Sequence, residues 1–592
     1  MKKSFSSYAS ILFVILPVII SLAWHINNQG WPNDDAAEYM KTAYHQYLVF
    51  QDGSLLDGFR ALYQIRNWRP TLFPAVATPF LLLFKGNVLA AKGAALITCF
   101  LVCQIYIYAI ARRYLDSLRA SLVAASVGSC TANIFSSLVF FSEIAWLAFF
   151  TGFVFHLLKS EFFRKRIQAA IAGIFLGLAA LVRPAETAII AILPLIGMIA
   201  MALVRKVFSL KNTAFVMGFV LLSTFLLFAS AFEKQIDYRF VLGIGIVIIL
   251  SQLLLIKADK KDEPGISGLN LFAVSFMIIN LLWWAGSMPQ LYSWIYDASF
   301  GTLARVTDVS IKREGFFSVI THIFFIHLFP NGILAALICL ILLLPDAKKN
   351  PRNIKRLSIL AMITFGLLLP MCCLYLITGT SEPRRVFIGM SFLLMLLSIL
   401  SLQDGPLRRI RYWGIALVVA MQITGLLLSA KGHVLLFGNS LLTQYYASFK
   451  PKIEADQNEA VILRLLELGV PKNSRVAVYT MALFQSRDRI YEPAALSLAA
   501  LTTGSNLEII YFWDIADYSA VIKRLRENSI PFLLVDVYEE TENNSRHQPY
   551  IQFTAALLAK MKGPYINPPG LQRAAAFKLN GREQVLFKVL PS

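Results

Sequence analysis

Long apolar runs separated by short polar stretches make up most of the first 430 residues of the chain. Many runs approach the roughly 20 residues that a helix needs to cross a membrane, and residues 119–141 are one such predicted span. Residues 71–84 are shorter and contain Pro74 and Pro79, so we expect an interfacial or re-entrant helix there. The pattern predicts a polytopic α-helical membrane protein with about 13 transmembrane helices.

After residue 430 the pattern becomes that of a soluble domain. An amphipathic helix is predicted at residues 517–528, and Asn580-Gly581 between two alternating runs is typical of a β-hairpin. The predicted strands are at residues 475–479, 508–512 and 531–537. A strand, helix, strand order indicates a small α/β domain. This part has no glycine-rich nucleotide fingerprint, so we assign it no cofactor.

The Lys and Arg residues fall in short clusters between apolar runs, and such clusters mark the cytoplasmic side of a membrane protein. Lys2-Lys3 therefore predict a cytoplasmic N-terminus, and no small-residue cleavage site follows the first apolar run, so we expect a retained signal anchor. The loops 26–70 and 286–315 then lie on the outer face. We expect a multi-pass protein of the cell membrane, inner or plasma, with a membrane domain at 1–430 and an extracytoplasmic domain at 431–592.

Composition agrees with this class, because 57% of residues are hydrophobic, only 15% are charged, and the mean hydropathy is +0.61. A formal charge of +20 could suggest nucleic acid, but the clustering between apolar runs excludes such a partner. The six cysteines lie in apolar runs without histidines at zinc-binding spacing. A divalent metal is compatible with the sequence, but no residue cluster requires one.

An acidic stretch, Trp31-Pro32-Asn33-Asp34-Asp35-Ala36-Ala37-Glu38-Tyr39, follows the first apolar run directly. Acids are costly near hydrocarbon, so three of them at a membrane edge indicate a functional site. In a helix Asp35 and Tyr39 share one face, and the phenol could then help to hold a carboxylate. The alternative is that these acids cap and solvate the start of a surface helix.

Several further acids and arginines fall on the predicted outer face. Arginine suits a phosphate because its planar fork gives paired, charge-assisted hydrogen bonds, and a carboxylate suits proton abstraction. A sugar held by a phosphate to a membrane lipid would need both groups. Alternatives remain, since arginines can snorkel or anchor topology and an acid can cap a helix. The outer-face set is Asp34, Asp35, Glu38, Arg66, Arg69, Glu143, Arg183, Asp297, Arg305, Arg384 and Arg385.

The sequence resembles the C-type (GT-C) glycosyltransferase superfamily, particularly the protein O-mannosyltransferases and the bacterial lipid A aminoarabinose transferase. The first likeness is the aspartate with a tyrosine four residues on, Asp35 and Tyr39. The second is the basic residue before proline in Arg69-Pro70-Thr71-Leu72-Phe73-Pro74. This chain departs from the family in having Thr71 where a second proline is usual and in doubling the aspartate. The doubling leaves the choice between Asp34 and Asp35 open, although the tyrosine register favours Asp35.

Two more likenesses are Ser142-Glu143, where the family places a second acid, and the arginine-proline junction in Leu181-Val182-Arg183-Pro184-Ala185-Glu186. The turn Glu382-Pro383-Arg384-Arg385 is similar more loosely. The resemblance covers the membrane half, and the terminal domain fits the family only in position and general type.

The resemblance implies an inverting enzyme of the outer membrane face. It would transfer a sugar from a polyprenyl-phosphate-linked donor to an envelope glycan, lipid or protein. Asp35, or Asp34, would be the general base, supported by Tyr39, and Glu143 would position the acceptor or tune that base. The donor phosphate would be bound by Arg66, Arg69, Arg183, Arg384 and Arg385.

Two other classes compete with this interpretation. A transporter or flippase of lipid-linked sugars also carries charged residues in membrane spans, but it places its site near the bilayer midplane between paired repeats. Here the acids collect at one face and no repeat is visible, which favours the enzyme. A sensor with a ligand-binding outer domain would leave the acids and arginines unexplained.

Overall fold

The computed structural model describes parts of the predicted membrane domain and parts of the predicted C-terminal α/β domain. The described residues are 2–28, 30, 32, 34–63, 72–205, 207, 246, 249, 266–281, 283, 351–378, 387–404, 408–430, 458–479, 493–512, 517–537, 556–557, 560, 567–579 and 582–591.

The chain divides into two compact units that do not follow the chain order. One, which we call the membrane unit, comprises Met1–Asn28, Leu48–Phe80 and Ala90–Pro451. The other, which we call the α/β unit, comprises Gln29–Tyr47, Leu81–Leu89 and Lys452–Ser592. The acidic stretch thus packs in the same unit as the C-terminal chain, which the sequence pattern did not predict.

In the first 430 residues, the described secondary structure is helices joined by turns and short loops. The helices are α1 (Lys2–Asn27), α2 (Asp34–Asp52), α3 (Leu55–Tyr63), α4 (Leu72–Leu83), α5 (Val88–Ala111), α6 (Ser117–Gly128), α7 (Thr131–Leu138), α8 (Glu143–Lys159), α9 (Arg166–Val182), α10 (Pro184–Val204), α11 (Ile266–Leu281), α12 (Pro351–Thr378), α13 (Phe387–Ser401) and α14 (Arg408–Ala430).

Three helical segments in the described part are long and apolar enough to cross a membrane: Tyr8–Asn27, Val88–Ala111 and Glu186–Val204. The bent pair of α6 and α7 would be a fourth if it forms one span. Membrane association is therefore supported, whereas the predicted count of about 13 transmembrane helices is not confirmed. The short helix predicted at residues 71–84 is present as α4, with Pro79 inside it.

The predicted span at residues 119–141 is not one straight helix, because α6 and residues Ala132–Leu138 of α7 meet at a 67° bend. The chain turns at Ser129, whose hydroxyl donates to Gln422 Oε1 at 2.8 Å, and at Cys130, whose backbone is extended. The Asn133 amide donates to the carbonyl of Val127 at 2.6 Å. Backbone groups freed by a break need such partners in a membrane protein. Hydropathy alone does not detect the bend, because the residues on both sides are apolar or small.

Helices α8 and α9 form an antiparallel hairpin that positions the candidate site. Glu143 begins α8 and Arg183 directly follows α9, so both lie at one end of the hairpin. Lys159 and Arg166 lie at the other end, about 25 Å away for a helix of 17 residues. The hairpin is close-packed, since a Cβ on Gly152 of α8 would lie 2.4 Å from the ring of Phe175 on α9.

The C-terminal chain forms a five-stranded sheet in the order β2-β1-β3-β5-β4. Its elements are α15 (Asn458–Glu467), β1 (Arg475–Tyr479), α16 (Pro493–Thr502), β2 (Glu508–Phe512), α17 (Tyr518–Glu527), β3 (Phe532–Val537), β4 (Leu571–Leu579) and β5 (Arg582–Val589). Strand β1 pairs in parallel with β2 and β3, and β4 with β5 form the predicted hairpin. The β-α-β prediction is therefore confirmed. Helix α17 is capped by Asp517, whose carboxylate accepts from the Ala520 amide at 2.8 Å.

Candidate functional site

Arg183 lies at the junction between α9 and α10, and the residue after it explains its backbone. A residue before proline is pushed away from the helical conformation, and Arg183 has φ −145° and ψ 87°. Pro184 is well suited to the first position of the next helix, because that position needs no amide donor. The break ends α9 at Val182, so the Arg183 side chain can turn towards the start of α8.

The Arg183 guanidinium is held by three side chains at once. Its Nη2 donates to Glu143 Oε1 at 2.5 Å, its Nη1 to Glu186 Oε1 at 3.0 Å, and its Nε to Ser142 Oγ at 2.9 Å. Charge-assisted bonds of this kind are about twice as strong as neutral ones. The structure thus brings together the predicted residues Glu143 and Arg183 from two different helices, and their direct pairing was not predicted.

A tryptophan stabilises this junction from the side. Trp146 is fully buried, and its indole Nε1 donates to Thr187 Oγ1 at 2.7 Å. Thr187 in turn donates to the carbonyl of Ala179 at 3.1 Å, which ties α10 back to α9. The Arg183 guanidinium carbon lies 5.6 Å from the Trp146 ring centre, within the range of a cation–π contact. The three helix ends therefore fix the orientation of the arginine.

Exposure differs sharply among the three charged side chains. The Glu143 side chain is 2% exposed, Arg183 is 16% exposed and Glu186 is 27% exposed. One guanidinium between two carboxylates leaves a formal charge of −1 on the group. Glu143 belongs to a buried pair whose disruption is costly, whereas the better solvated Glu186 is easier to displace. The arrangement can therefore offer Nη1 to an incoming anion while Nη2 stays paired.

Glu186, Trp146 and Thr187 also belong to this group and were not predicted from the sequence. The spacing of Arg183 and Glu186, three residues apart near the start of a helix, was a usable signal for an ion pair. No comparable signal links Trp146 to Thr187, because they are 41 positions apart in the sequence and lie on different helices.

The predicted base residues begin α2, since the helix starts at Asp34 and includes Asp35 and Tyr39. The four-residue register of Asp35 and Tyr39 therefore holds within one helix. This part of α2 belongs to the α/β unit, whereas Glu143 and Arg183 belong to the membrane unit. A shared site for Asp35 and Arg183 stays a prediction, as does the assignment of the base.

The remaining predicted site residues lie outside the described part of the chain. They are Arg66, Arg69, Asp297, Arg305, Arg384 and Arg385. On α4, Phe73 packs on Phe140 with ring centres 4.4 Å apart. Both rings are 1% exposed, and Phe140 precedes Glu143 by three residues. The start of α4 thus lies beside the turn that leads into the Glu143–Arg183 pair.

Within the described ranges, no group of three or more His, Cys, Asp or Glu side chains is arranged to hold a metal ion. Among the cysteines whose side chains the structure describes, Cys99, Cys103 and Cys130 are buried and free.

No protein-family model matches the chain, and no curated protein matches it. Solved structures similar to it include an oligosaccharyltransferase of Archaeoglobus fulgidus, with 12% identity over 89% of this chain and 68% of that one, at a TM-score of 0.45. Another is AglB of the same organism in complex with an inhibitory peptide and dolichol-phosphate. It has 11% identity over 90% of this chain and 70% of that one, and the TM-score is 0.43.

A third is ArnT of Cupriavidus metallidurans bound to undecaprenyl phosphate, with 11% identity over 98% of each chain and a TM-score of 0.33. These neighbours are GT-C glycosyltransferases, the superfamily that the sequence motifs resemble. With TM-scores below 0.5, the likenesses establish neither the membership nor the activity of this chain.

Proposed function

We propose that the protein is an integral membrane glycosyltransferase of the outer membrane face. It transfers a sugar from a polyprenyl-phosphate-linked donor to an envelope glycan, lipid or protein, with inversion at the anomeric carbon. The observation that carries the proposal is Arg183, held by Glu143 and Glu186 at one end of the α8–α9 hairpin. An arginine that is held in one orientation beside a carboxylate that can be displaced is well suited to bind a phosphate.

In the proposed donor complex, a phosphate oxygen replaces the Glu186 carboxylate at Arg183 Nη1. Glu143 keeps Nη2 and so holds the guanidinium in place. Two acids beside one arginine would repel a phosphate, so further cations are needed, and Arg66, Arg69, Arg384 and Arg385 are the proposed source. Cations stabilise the negative charge that grows on the departing phosphate in the transition state.

The proposed reaction is a single displacement. The Asp35 carboxylate takes the proton of the acceptor hydroxyl, and the hydroxyl oxygen bonds to the anomeric carbon on the face opposite the phosphate. The bond between that carbon and the phosphate oxygen breaks, and its electron pair leaves with the polyprenyl phosphate. Attack from the opposite face accounts for inversion.

The test is sugar transfer from polyprenyl-phosphate donors to cell-envelope acceptors, in membranes with matched expression of the wild type, Asp35→Asn and Asp34→Asn. We expect a loss of about 100-fold or more only for Asp35→Asn, because general base catalysis contributes about 10²–10⁴-fold. Asp34→Asn is the matched control, since it removes the same charge one residue away. Full activity in both variants would refute the assignment of the base.

One observation favours the alternative of a transporter or lipid-linked sugar flippase. Transporters use broken helices lined by polar groups, and α6 and α7 meet at a 67° bend beside Ser129, Asn133 and Gln422. Flipping of a fluorescent lipid-linked sugar in proteoliposomes tests this. Wild-type flipping without any sugar transfer would favour the transporter, and transfer that depends on Asp35 would exclude it as the main activity.

A further inference from the structure

The first half of α2 is packed as a core helix, although the sequence suggests a polar loop. Ala36, Ala37, Met40 and Ala43 are each at most 1% exposed, and Tyr44 is 9% exposed. Positions 36, 40, 43 or 44, and 47 recur every three to four residues and so share one face of the helix. The helix that begins with Asp34 and Asp35 is therefore held by this buried face from Ala36 to Tyr47.

Two tyrosines at the end of that face meet the turn between α4 and α5. The rings of Tyr44 and Tyr47 lie 5.3 Å apart, and Tyr47 is 7% exposed. Gly86 lies against both of them: a Cβ at this position would be 3.3 Å from Tyr47 Oη and 3.4 Å from Tyr44 Oη. Its φ of +82° also favours glycine, and its amide closes the turn by donating to the carbonyl of Leu81 at 2.8 Å.

The two tyrosines belong to the same compact unit as the C-terminal chain. Burial raises the pKa of Tyr44, and the nearby Tyr47 and the negative charge of Glu459 raise it further. Glu459 is the second residue of α15, and its Oε1 accepts from Thr502 Oγ1 of α16 at 3.3 Å. Helices α15 and α16 share an apolar core with β1 that includes Val461, Leu496 and Val478. The first half of α2 thus belongs to the same compact unit as the sheet, α15 and α16.

From this packing we propose that Tyr44 and Tyr47, packed against Gly86, are positioning residues that set the placement of the catalytic helix, and that the C-terminal domain, which lies in the same compact unit, has a role in this placement. The proposal rests on the proposed function, in which Asp35 is the base. A shift of α2 by a fraction of an ångström would move the base away from the acceptor hydroxyl, because proton transfer needs heavy atoms about 2.6–3.2 Å apart. The C-terminal domain then acts on turnover through α2 and touches no reacting atom.

Two glycine substitutions make a matched pair for the test. Gly86→Ala strains the backbone and also presses a methyl group against the two phenols. Gly504→Ala strains the backbone in the same way at φ +65°, but no heavy atom lies within 4 Å of the new Cβ. We expect Gly86→Ala to lower kcat about tenfold or more, with less than a twofold change in KM for the donor, while Gly504→Ala keeps the wild-type kcat.

Two further measurements keep the outcome decisive if Gly86→Ala is poorly folded. Glu459→Gln removes, at an exposed position, a negative charge that acts on Tyr44, and we expect it to lower kcat less than Gly86→Ala, with donor KM unchanged. Hydrogen exchange of residues 34–47 reports the packing without any activity. We expect faster exchange there in Gly86→Ala and not in Gly504→Ala.

Faster exchange with an unchanged kcat would overturn the positioning role, and so would equal loss of kcat in both glycine variants. These outcomes differ from a failure of the proposed function, in which the wild type itself transfers no sugar or Asp35→Asn retains full activity.

Discussion

At the residue scale, the decisive feature is that Arg183 satisfies a buried carboxylate. Glu143 is 2% exposed, so removal of its cationic partner leaves a charge that water cannot reach. Such a loss costs far more than the pair contributes, because both charges were already desolvated on folding. Arg183 therefore has a structural role whatever it binds, and the two roles can be separated by comparing stability with activity.

Arg183→Gln should lower the free energy of unfolding by about 3–5 kcal/mol, as expected for one partner removed from a buried pair. The double variant Glu143→Gln/Arg183→Gln should lose less than Arg183→Gln alone, since no buried carboxylate remains uncompensated. Thermal unfolding in detergent measures both.

The matched control for this pair is Arg475→Gln. Its partner is Glu508 at 2.8 Å, and the two side chains are 47% and 58% exposed. We expect a change of about 0–1 kcal/mol there, because exposed ion pairs contribute little. Strictly additive effects in the Glu143 and Arg183 variants would mean that the pair is not coupled as the structure has it.

At the element scale, the sequence predicts the bounds of some strands correctly but does not predict the helix break that depends on distant residues. Strands β1 and β2 match their predicted ranges because alternating or apolar runs are bounded by turn-forming residues. The break between α6 and α7 was missed because it depends on Gln422, almost 300 positions after Ser129 in the chain. The Glu143–Arg183 pair was missed for the same reason, since neither residue signals its partner through local spacing. Local pattern thus predicts elements, and distant contacts decide their ends.

Two glycines at helix contacts should differ in how well they tolerate a side chain, because one lies against backbone and the other against a methionine side chain. A Cβ on Gly173 of α9 would lie 2.2 Å from the backbone oxygen of Phe272 on α11. A Cβ on Gly197 of α10 would lie 2.3 Å from the sulfur of Met362 on α12. The overlaps are nearly equal, but a methionine side chain can move and a helix backbone cannot without repacking.

We therefore expect Gly173→Ala to destabilise the protein by about 1–3 kcal/mol, in the range of overpacked cores, and Gly197→Ala to cost less than about 1 kcal/mol. The measurement is again thermal unfolding in detergent. Equal losses in the two variants would show that Met362 is as rigid as the backbone at Phe272.

At the scale of the whole molecule, the two ends of the α8–α9 hairpin differ in charge. Glu143, Arg183 and Glu186 collect at one end, whereas the exposed basic residues Lys159, Arg164, Lys165 and Arg166 collect at the other. Basic clusters mark the cytoplasmic side, so the acid–arginine group should lie at the outer face. The proposed function requires this orientation, because the donor phosphate and acceptor would meet Arg183 there.

Single cysteines in a background without the six native ones would report the orientation. Lys165→Cys lies in the basic turn, where the native side chain is 52% exposed, and Lys523→Cys lies on α17 of the C-terminal domain, where it is 76% exposed. Intact cells treated with a membrane-impermeant maleimide should label Lys523→Cys, because the C-terminal domain is predicted to be outside, and should label Lys165→Cys only after permeabilisation. Both side chains are exposed surface lysines, so each variant is the other's control for reactivity. Labelling of both variants from the same side would refute the predicted topology. Labelling of Lys165→Cys alone in intact cells would show the inverted topology. Arg183 would then lie at the cytoplasmic face, and transfer at the outer face would be excluded.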